Sequence, residues 1–516
     1  MGKFFLGIDI GTFESKGVLV DGETFRITAS HAVAHGMENP KPNYFEHDAE
    51  KVWWHDYCEI CQVLTKQVKN SEIVCVGTST LGTDCLPVDE NCRPLRKAIL
   101  YGVDARADGE IAWLNEYYGG EEKATAVYGH KLRSDDIMPK ILWIKNNEPE
   151  VYAKTYKFLT GASYIGAKLT GRYRIDQFLA KSSFSPVYRP DGSIDESLCA
   201  LYCRPDQLAQ CALSTEVIGR VTAEAAKETG LAEGTPVISG TGDSTAEAIS
   251  GGLTGPGRLL MQFGSTMFFY YCIDRQVSGD SALPGSFGFT IPGTYCLGGG
   301  TNAAGTLTRW VRDVYYFPEV SKEQQGGENA YSVMARDAAS VPAGCGGLIM
   351  LPYILGERSP IYDIHARGVL FGLTGEHDRR YINRAALEAV AYSVRQHIEL
   401  FRSRGLSPES ITIAGGGTKN PVWMQIVADV TGLPVVVSQP WQTASYGDAV
   451  MAAIGSGSLE GFRDLDSVMP ANREVLPNKD NRAVYDRLYP IYTELYQRNK
   501  DLMHTLGAEE ENHAIH

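Results

Sequence analysis

Leu6-Gly7-Ile8-Asp9-Ile10-Gly11-Thr12-Phe13-Glu14-Ser15-Lys16 and, far downstream, Val237-Ile238-Ser239-Gly240-Thr241-Gly242-Asp243-Ser244-Thr245 are two versions of one local device. In each, apolar residues carry a strand through a core, and a single Asp appears where the strand gives out. Gly and Ser/Thr follow, so backbone N–H groups and hydroxyls can approach an anion without side-chain bulk in the way. A single Asp-x-Gly-Thr turn is a common strand-to-turn junction. Two in one chain, facing each other, could grip a polyphosphate and its Mg²⁺ from both sides.

The pair resembles the nucleotide turns of the actin-like ATPase superfamily and, within it, of the FGGY carbohydrate kinases. The resemblance runs from Phe5 to about Gly455. Ile411-Thr-Ile-Ala-Gly-Gly-Gly-Thr-Lys-Asn-Pro-Val-Trp-Met-Gln-Ile-Val-Ala-Asp429 is similar to the family's adenosine segment, and Gly368-Val-Leu-Phe-Gly-Leu373 with Arg384-Ala-Ala-Leu-Glu388 to its second signature. Tyr381-Ile382 depart from it, standing where a polar residue is usual. The implied fold is α/β: two actin-like (ribonuclease H-like) domains, each on a five-stranded mixed sheet, with a cleft between them. The implied activity is ATP-dependent phosphorylation of a sugar hydroxyl.

The same resemblance distributes roles. Asp243 is the expected catalytic base, although Asp243-Ser244-Thr245 before Ala246-Glu247-Ala248-Ile249 also suits a helix N-cap. Asp9 is expected to hold Mg²⁺ through water. Gly11, Thr12, Ser15 and Lys16 are expected near the phosphates, with Gly264, Ser265 and Thr266 as the opposing loop. Gly305, Gly416 and Asn420 match positions that accept adenosine. On the sugar side, Ala98 to Arg106 is similar to the family's Trp-x-Asp-x-Arg segment, with Tyr101 near the Trp place. Asp104 and Arg106 either bind hydroxyls or pair with each other. Gly356-Glu-Arg-Ser-Pro360 resembles a loop of xylulokinases. Those enzymes carry Gln-Met-His-Gly where this chain has Ser79-Thr80-Leu81-Gly82-Thr83-Asp84, so Thr80 and Asp84 become the candidate substrate contacts. Xylulose-like ketopentoses lead, and ribulose, glycerol, gluconate and a hexulose stay open. A non-catalytic, actin-like nucleotide switch is the competing class; it would need neither the 356–360 loop nor the Asp104/Arg106 pair.

Bulk properties frame this reading. A chain of 516 residues suits two domains, 1–250 and 251–516, each able to bury a full core. Apolar content of 43% and charged content of 21% are ordinary for a globular protein. A net charge of −14 argues against a nucleic-acid or anionic-membrane partner, leaving a small-molecule sugar or polyol as partner and a homodimer as an open assembly. Met1-Gly2-Lys3 before a strand that soon meets Asp9 is no signal peptide, and no apolar run reaches the roughly 20 residues of a membrane span. A cytoplasmic location is expected. The 11 cysteines are scattered, and Cys58-x-x-Cys61 lacks a second pair at zinc spacing, so buried thiols are expected. No P-loop or Rossmann fingerprint occurs.

Local patterns complete the outline. Strands are expected over Phe4–Gly11, Gly17–Asp21 and Phe25–Ala34 with a turn at Asp21-Gly22, and over Ile73–Gly77. Gly251 to Gly257 reads as the interdomain connection. Leu387, Val390, Ala391, Val394, Ile398 and Phe401 predict one buried helix face, and Val484, Leu488, Ile491, Leu495 and Leu502 another.

Overall fold

The computed structural model describes residues 2–439, 441–470 and 472–514. The first half supplies β1 (Phe4–Ile10), β2 (Glu14–Asp21), β3 (Ile27–Ala34), α1 (His55–Leu64), β4 (Ile73–Thr80), α2 (Ile137–Asn147), α3 (Gly161–Thr170), β5 (Val217–Arg220), β6 (Pro236–Ile238), β7 (Thr241–Gly242) and α4 (Asp243–Ser250). The second half supplies β8 (Arg258–Phe263), β9 (Met267–Ile273), β10 (Phe287–Gly288), β11 (Tyr295–Thr301), α5 (Gly305–Tyr315), α6 (Arg379–Ser403), β12 (Ser410–Ala414), α7 (Pro421–Thr431), β13 (Val435–Val437), α8 (Ala444–Gly455), β14 (Arg473–Val475) and α9 (Lys479–Ala514). Among the described residues no helix is long and apolar enough to cross a membrane.

Two mixed sheets organise these elements. The first runs β5-β6-β4-β1-β2-β3 with β7 also on β4, the second β10-β11-β9-β8-β12-β13-β14. Each has seven strands where five were expected. The surplus comes from short edge strands such as β5 and β10, too brief to read from a pattern. The central strand β1 carries Phe5, Leu6, Ile8 and Ile10 fully buried, because helices cover both faces of a sheet whose middle pair, β1 and β4, is parallel.

Register decides which side chains face which way. Asp9 lies beside Lys16 on β2 and beside Ser79 on β4, whereas Ile10 lies beside Ser15 and Thr80. Side chains alternate along a strand. Asp9, Lys16 and Ser79 therefore share one face of the sheet, and Ser15 and Thr80 share the other.

The first face is covered by a helix from late in the chain. Helix α8 packs on β1, β2, β4 and α4, and its Tyr446, Ala449, Val450 and Met451, with Phe462 and Leu465 beyond it, belong to the first hydrophobic core. Residues from 444 to 465 thus pack into the first core although they come late in the chain. The approach is backbone to backbone. A Cβ on Gly7 would overlap the Ser445 carbonyl oxygen, one on Gly77 the Asp448 carbonyl oxygen, and one on Gly447 the carbonyl of Ala246.

The second core confirms the α6 face, with all six predicted positions buried. The α9 face differs. Tyr485, Tyr489, Tyr492 and Tyr496 are buried while Ile491 and Leu502 are exposed. The tyrosines win because Tyr392 of α6 packs against Tyr485, Tyr489 and Tyr492, and Tyr485 bonds the buried Glu388.

Gly447→Ala should lower the midpoint of chemical unfolding by roughly 1–3 kcal/mol or more, the cost of forcing atoms into a packed site. Gly109→Ala, on an exposed helix with open space around it, should instead gain about 0.5–1 kcal/mol. Parallel urea titrations check the pair; equal effects would show that the α8 contact is not tight.

Candidate active site

The turn after β1 is a tight hairpin, closed by the Gly11 N–H donating to the Glu14 carbonyl at 3.1 Å. It is braced from beneath. His35 places Nε2 3.0 Å from the Gly11 carbonyl and Nδ1 2.8 Å from Asp56 Oδ2. The Ser15 hydroxyl donates to the same Asp56 oxygen at 2.9 Å. Ser15 is thus fully buried on the α1 side of the sheet, and its expected place near the phosphates does not hold. Thr12, with its Oγ1 3.2 Å from the Tyr101 hydroxyl, stays at the cleft. Lys16 shares the Asp9 face, its Nζ 2.7 Å from Glu14.

Asp243 opens α4 and stands on the same cleft. Its Oδ1 accepts from the Ser244 N–H at 2.6 Å. The N-cap position belongs to Gly242, which offers no side-chain cap, so the carboxylate is not spent on capping. Burial, helped by the Glu247 charge one turn along, pushes Asp243 up to about 6 against the Ser244 N–H. Burial and the charge of Asp243 hold Asp9 still higher, at about 8, against the Ser79 hydroxyl that donates to its Oδ1 at 2.9 Å. Glu247 is raised as well. Uncompensated like charge thus collects between the two turns.

A cavity of about 310 Å³ adjoins Asp243, bordered by Thr12, Leu81, Thr83, Tyr101, Asp135 and Ser244. The second-domain sheet reaches it through Tyr270, whose hydroxyl lies 3.4 Å from Ser244 Oγ. Beside it Asp84 is fully buried, with neither carboxylate oxygen hydrogen-bonded. Burial raises it to about 7, and the charge of Lys140 opposes the shift. Lys140 spends its ammonium on the Thr83 and Leu100 carbonyls at 3.0 and 2.7 Å.

Thr80, Asp104 and Arg106 are committed elsewhere. Thr80 Oγ1 accepts from Ala162 N at 3.0 Å, anchoring α3 on the face away from Asp9. The Arg106 fork grips Asp104 through Nε and Nη2 at 2.9 and 2.7 Å and reaches Glu46 through Nη1 at 2.8 Å. The guanidinium stacks 4.4 Å above the Tyr44 ring, and Asp104 also takes the Phe45 N–H. Of the two readings open for this pair, mutual pairing is the one realised, and Tyr101 faces the cleft in its place.

Across the cleft, Gly264, Ser265 and Thr266 form an exposed turn joining β8 and β9. The Gly264 carbonyl accepts from Gly305 N, and the Ser265 carbonyl from Ala304 N and Thr306 N. Gly305 therefore packs against the turn, where a Cβ would lie 2.5 Å from the Gly264 oxygen. Gly416 is open, and its neighbours are the glycines that packing demands: Gly415 has φ 88° and Gly417 lies on Phe263. Asn420 caps α7, its side-chain oxygen accepting from Val422 N and Trp423 N. Ser79, Glu247, Asp135 and Asp448 are near neighbours of the turns that sequence reading passed over. Of these, only Glu247 had a local signal, four residues after Asp243 on a helix.

The comparisons with known proteins agree with this geometry. The family models for the N-terminal and C-terminal domains of the FGGY family of carbohydrate kinases match residues 4–250 and 259–456. The chain belongs to that family: it is a phosphotransferase that uses ATP and has an alcohol group of a small carbohydrate as acceptor. It is 27% identical to the xylulose kinase of Bacillus subtilis, over 99% of this chain and all of that one. It is 26% identical to the gluconokinase of the same organism, over 96% of each. The crystal structure of xylulose kinase from Rhodospirillum rubrum superposes with a TM-score of 0.83 at 28% identity, covering 97% of this chain and 100% of that chain.

Asp104→Ala would leave the buried Arg106 fork short of its main partner and should cost about 3–5 kcal/mol, read as a lower urea midpoint. The ATP Michaelis constant should stay put; a shift in sugar preference without a stability loss would return Asp104 to the substrate.

Proposed function

We propose that this kinase phosphorylates a primary hydroxyl of a neutral ketopentose of the xylulose type, with Asp243 as base and Mg²⁺ as the metal. The observation that carries the reading is the cavity bordered by Asp243, Thr12, Thr83 and Tyr101, with Asp84, fully buried and without a hydrogen-bond partner, one residue on from Thr83. A buried carboxylate without a partner is costly, and a substrate hydroxyl is the donor it lacks. In the reaction Asp243 orients the acceptor hydroxyl and takes its proton as the new O–P bond forms. The Thr12 hydroxyl and the exposed N–H and hydroxyl groups of the Ser265–Thr266 turn would hold the phosphates.

The donor set suits Mg²⁺. Asp9, Asp243 and Glu247 offer hard oxygens, and burial raises all three carboxyl groups, so a bound cation would relieve them. Among the described residues no three metal-ligating side chains form a cage, as fits an ion that arrives on a triphosphate and keeps its waters. Bound at Asp9 through water, the ion would neutralise the phosphate oxygens.

The charge of the sugar side favours a neutral substrate. Asp135 and Asp243 border the cavity, Lys140 is engaged by two carbonyls, and Arg133 pairs with Asp135 at 3.1 Å. An aldonate carboxylate would meet like charge there. The test is a kinase assay across D-xylulose, L-xylulose, D-ribulose, L-ribulose, glycerol and gluconate, in which a ketopentose should lead and gluconate should rank last. Gluconate leading would overturn the reading, and ATP hydrolysis that no sugar accelerates would favour a nucleotide switch.

Asp243→Ala should cut turnover by ~10²–10⁴ with nucleotide binding nearly intact. Because the base must be ionised, kcat/KM of the unmodified enzyme should fall as pH drops through about 6, the value at which the free carboxyl is held. Asp84→Ala should reorder the preference among ketoses, since a site built to bond a hydroxyl discriminates strongly against its loss. Equal slowing of every sugar would make Asp84 structural.

A further inference from the structure

Helix α8 is built from small and apolar residues, Ala444-Ser-Tyr-Gly-Asp-Ala-Val-Met-Ala-Ala-Ile-Gly455, with one exception. Asp448 sits in its middle, fully buried. A buried carboxyl group in such a helix costs stability that an Ala would not. Its surroundings define what it does. The Ser79 hydroxyl stands 2.6 Å from Asp448 Oδ2 and 2.9 Å from Asp9 Oδ1.

We propose that Asp448 is a positioning residue for phosphoryl transfer: from α8 it fixes the Ser79 hydroxyl, and Ser79 in turn fixes the Asp9 carboxylate at the phosphate turn. This rests on Asp9 being the carboxylate that meets the nucleotide's cation.

The chain of three oxygens needs two hydrogens. Ser79 has one, so a carboxyl group holds the other. Asp448 is enclosed on every side, with Oδ1 lacking any partner, whereas Asp9 is only half-buried. The Ser79 hydroxyl bridges the two carboxyl groups, so the Asp9 rotamer is set by a hydrogen bond within the protein.

The reach depends on the glycine contacts. Gly77 lies under the Asp448 backbone and Gly7 under that of Ser445. Two residues along each strand, on the same face, come Ser79 and Asp9. With any side chain at 7 or 77 the helix would ride higher, and the Asp448 carboxyl would lose Ser79. Outer groups that orient a ligating carboxylate commonly contribute 10- to 100-fold in metal affinity.

The experiment uses the full chain and measures ADP binding by calorimetry across a Mg²⁺ series, with sugar KM, turnover and unfolding midpoint alongside. Asp448→Ala should raise the Mg²⁺ concentration for half-maximal ADP binding about 10-fold or more, with the sugar KM within about twofold of the parent. Asp448→Asn, whose amide N–H can still donate to Ser79, should recover most of that loss. Ser79→Ala should reproduce the Ala phenotype, and Ser79→Ala with Asp448→Ala should be no worse than either alone, as expected of residues acting in series. An unchanged Mg²⁺ requirement in Asp448→Ala, or an Asn variant as impaired as the Ala one, overturns the proposal. If Asp448→Ala does not fold, the Asn and Ser79 variants still decide. Asp9→Ala is the control that separates the two ideas. If it leaves the Mg²⁺ requirement untouched, the reading of Asp9 fails; if it raises the requirement while Ser79→Ala does not, the relay alone fails.

Discussion

The seating of α8 on the first sheet is the contact on which the rest depends. Three glycines, Gly7, Gly77 and Gly447, let a helix from the second half of the chain lie with its backbone against the strands and against α4. Protein interiors tolerate little slack at such points. That contact locks the end of α4, and hence Asp243, to the end of β1, and hence Asp9. It also joins the two halves of the chain, since α8 follows directly on the last parallel strand of the second sheet. The distance between the two carboxylate turns is thus set by close packing and not by loops.

What the packing brings together is negative charge. Asp9, Asp243, Glu247 and Asp448 all have carboxyl groups raised by burial, and the first two and Asp448 also by neighbouring carboxylates. Such a cluster strains the protein alone and is relieved by positive charge. Strain of this kind concentrates at functional sites. The sugar side uses the same physics more sparingly. Its positive charges are consumed within the protein: Arg106 grips Asp104, and Lys140 is held by backbone carbonyls.

The two Asp turns were legible because strand, breaker and acid follow one another within a few residues, and local order needs no partner to be read. The same holds for the α6 face, whose period is written in consecutive turns, and for the connection at 251–257. Pairing is another matter. Ser15 and Thr80 were expected at the site from the family resemblance and from the segment that replaces the Met-His contact, yet a one-residue step along a strand turns a side chain to the opposite face. Asp104 and Arg106 were legible as a pair but not as a closed one, because Glu46 and Tyr44 come from another segment.

The amino-acid sequence by itself determined the class of fold and marked Asp9 and Asp243 as the two turn carboxylates, because those signals are local and repeat. Only the tertiary structure decided which neighbours serve them. Ser79 joins Asp9 through strand register, and Asp448 joins Ser79 through a helix that folds back from the far end of the chain. Neither relation has a period or a motif, because a contact between residues 79 and 448 is set by the packing of backbones and leaves no mark on the residues between.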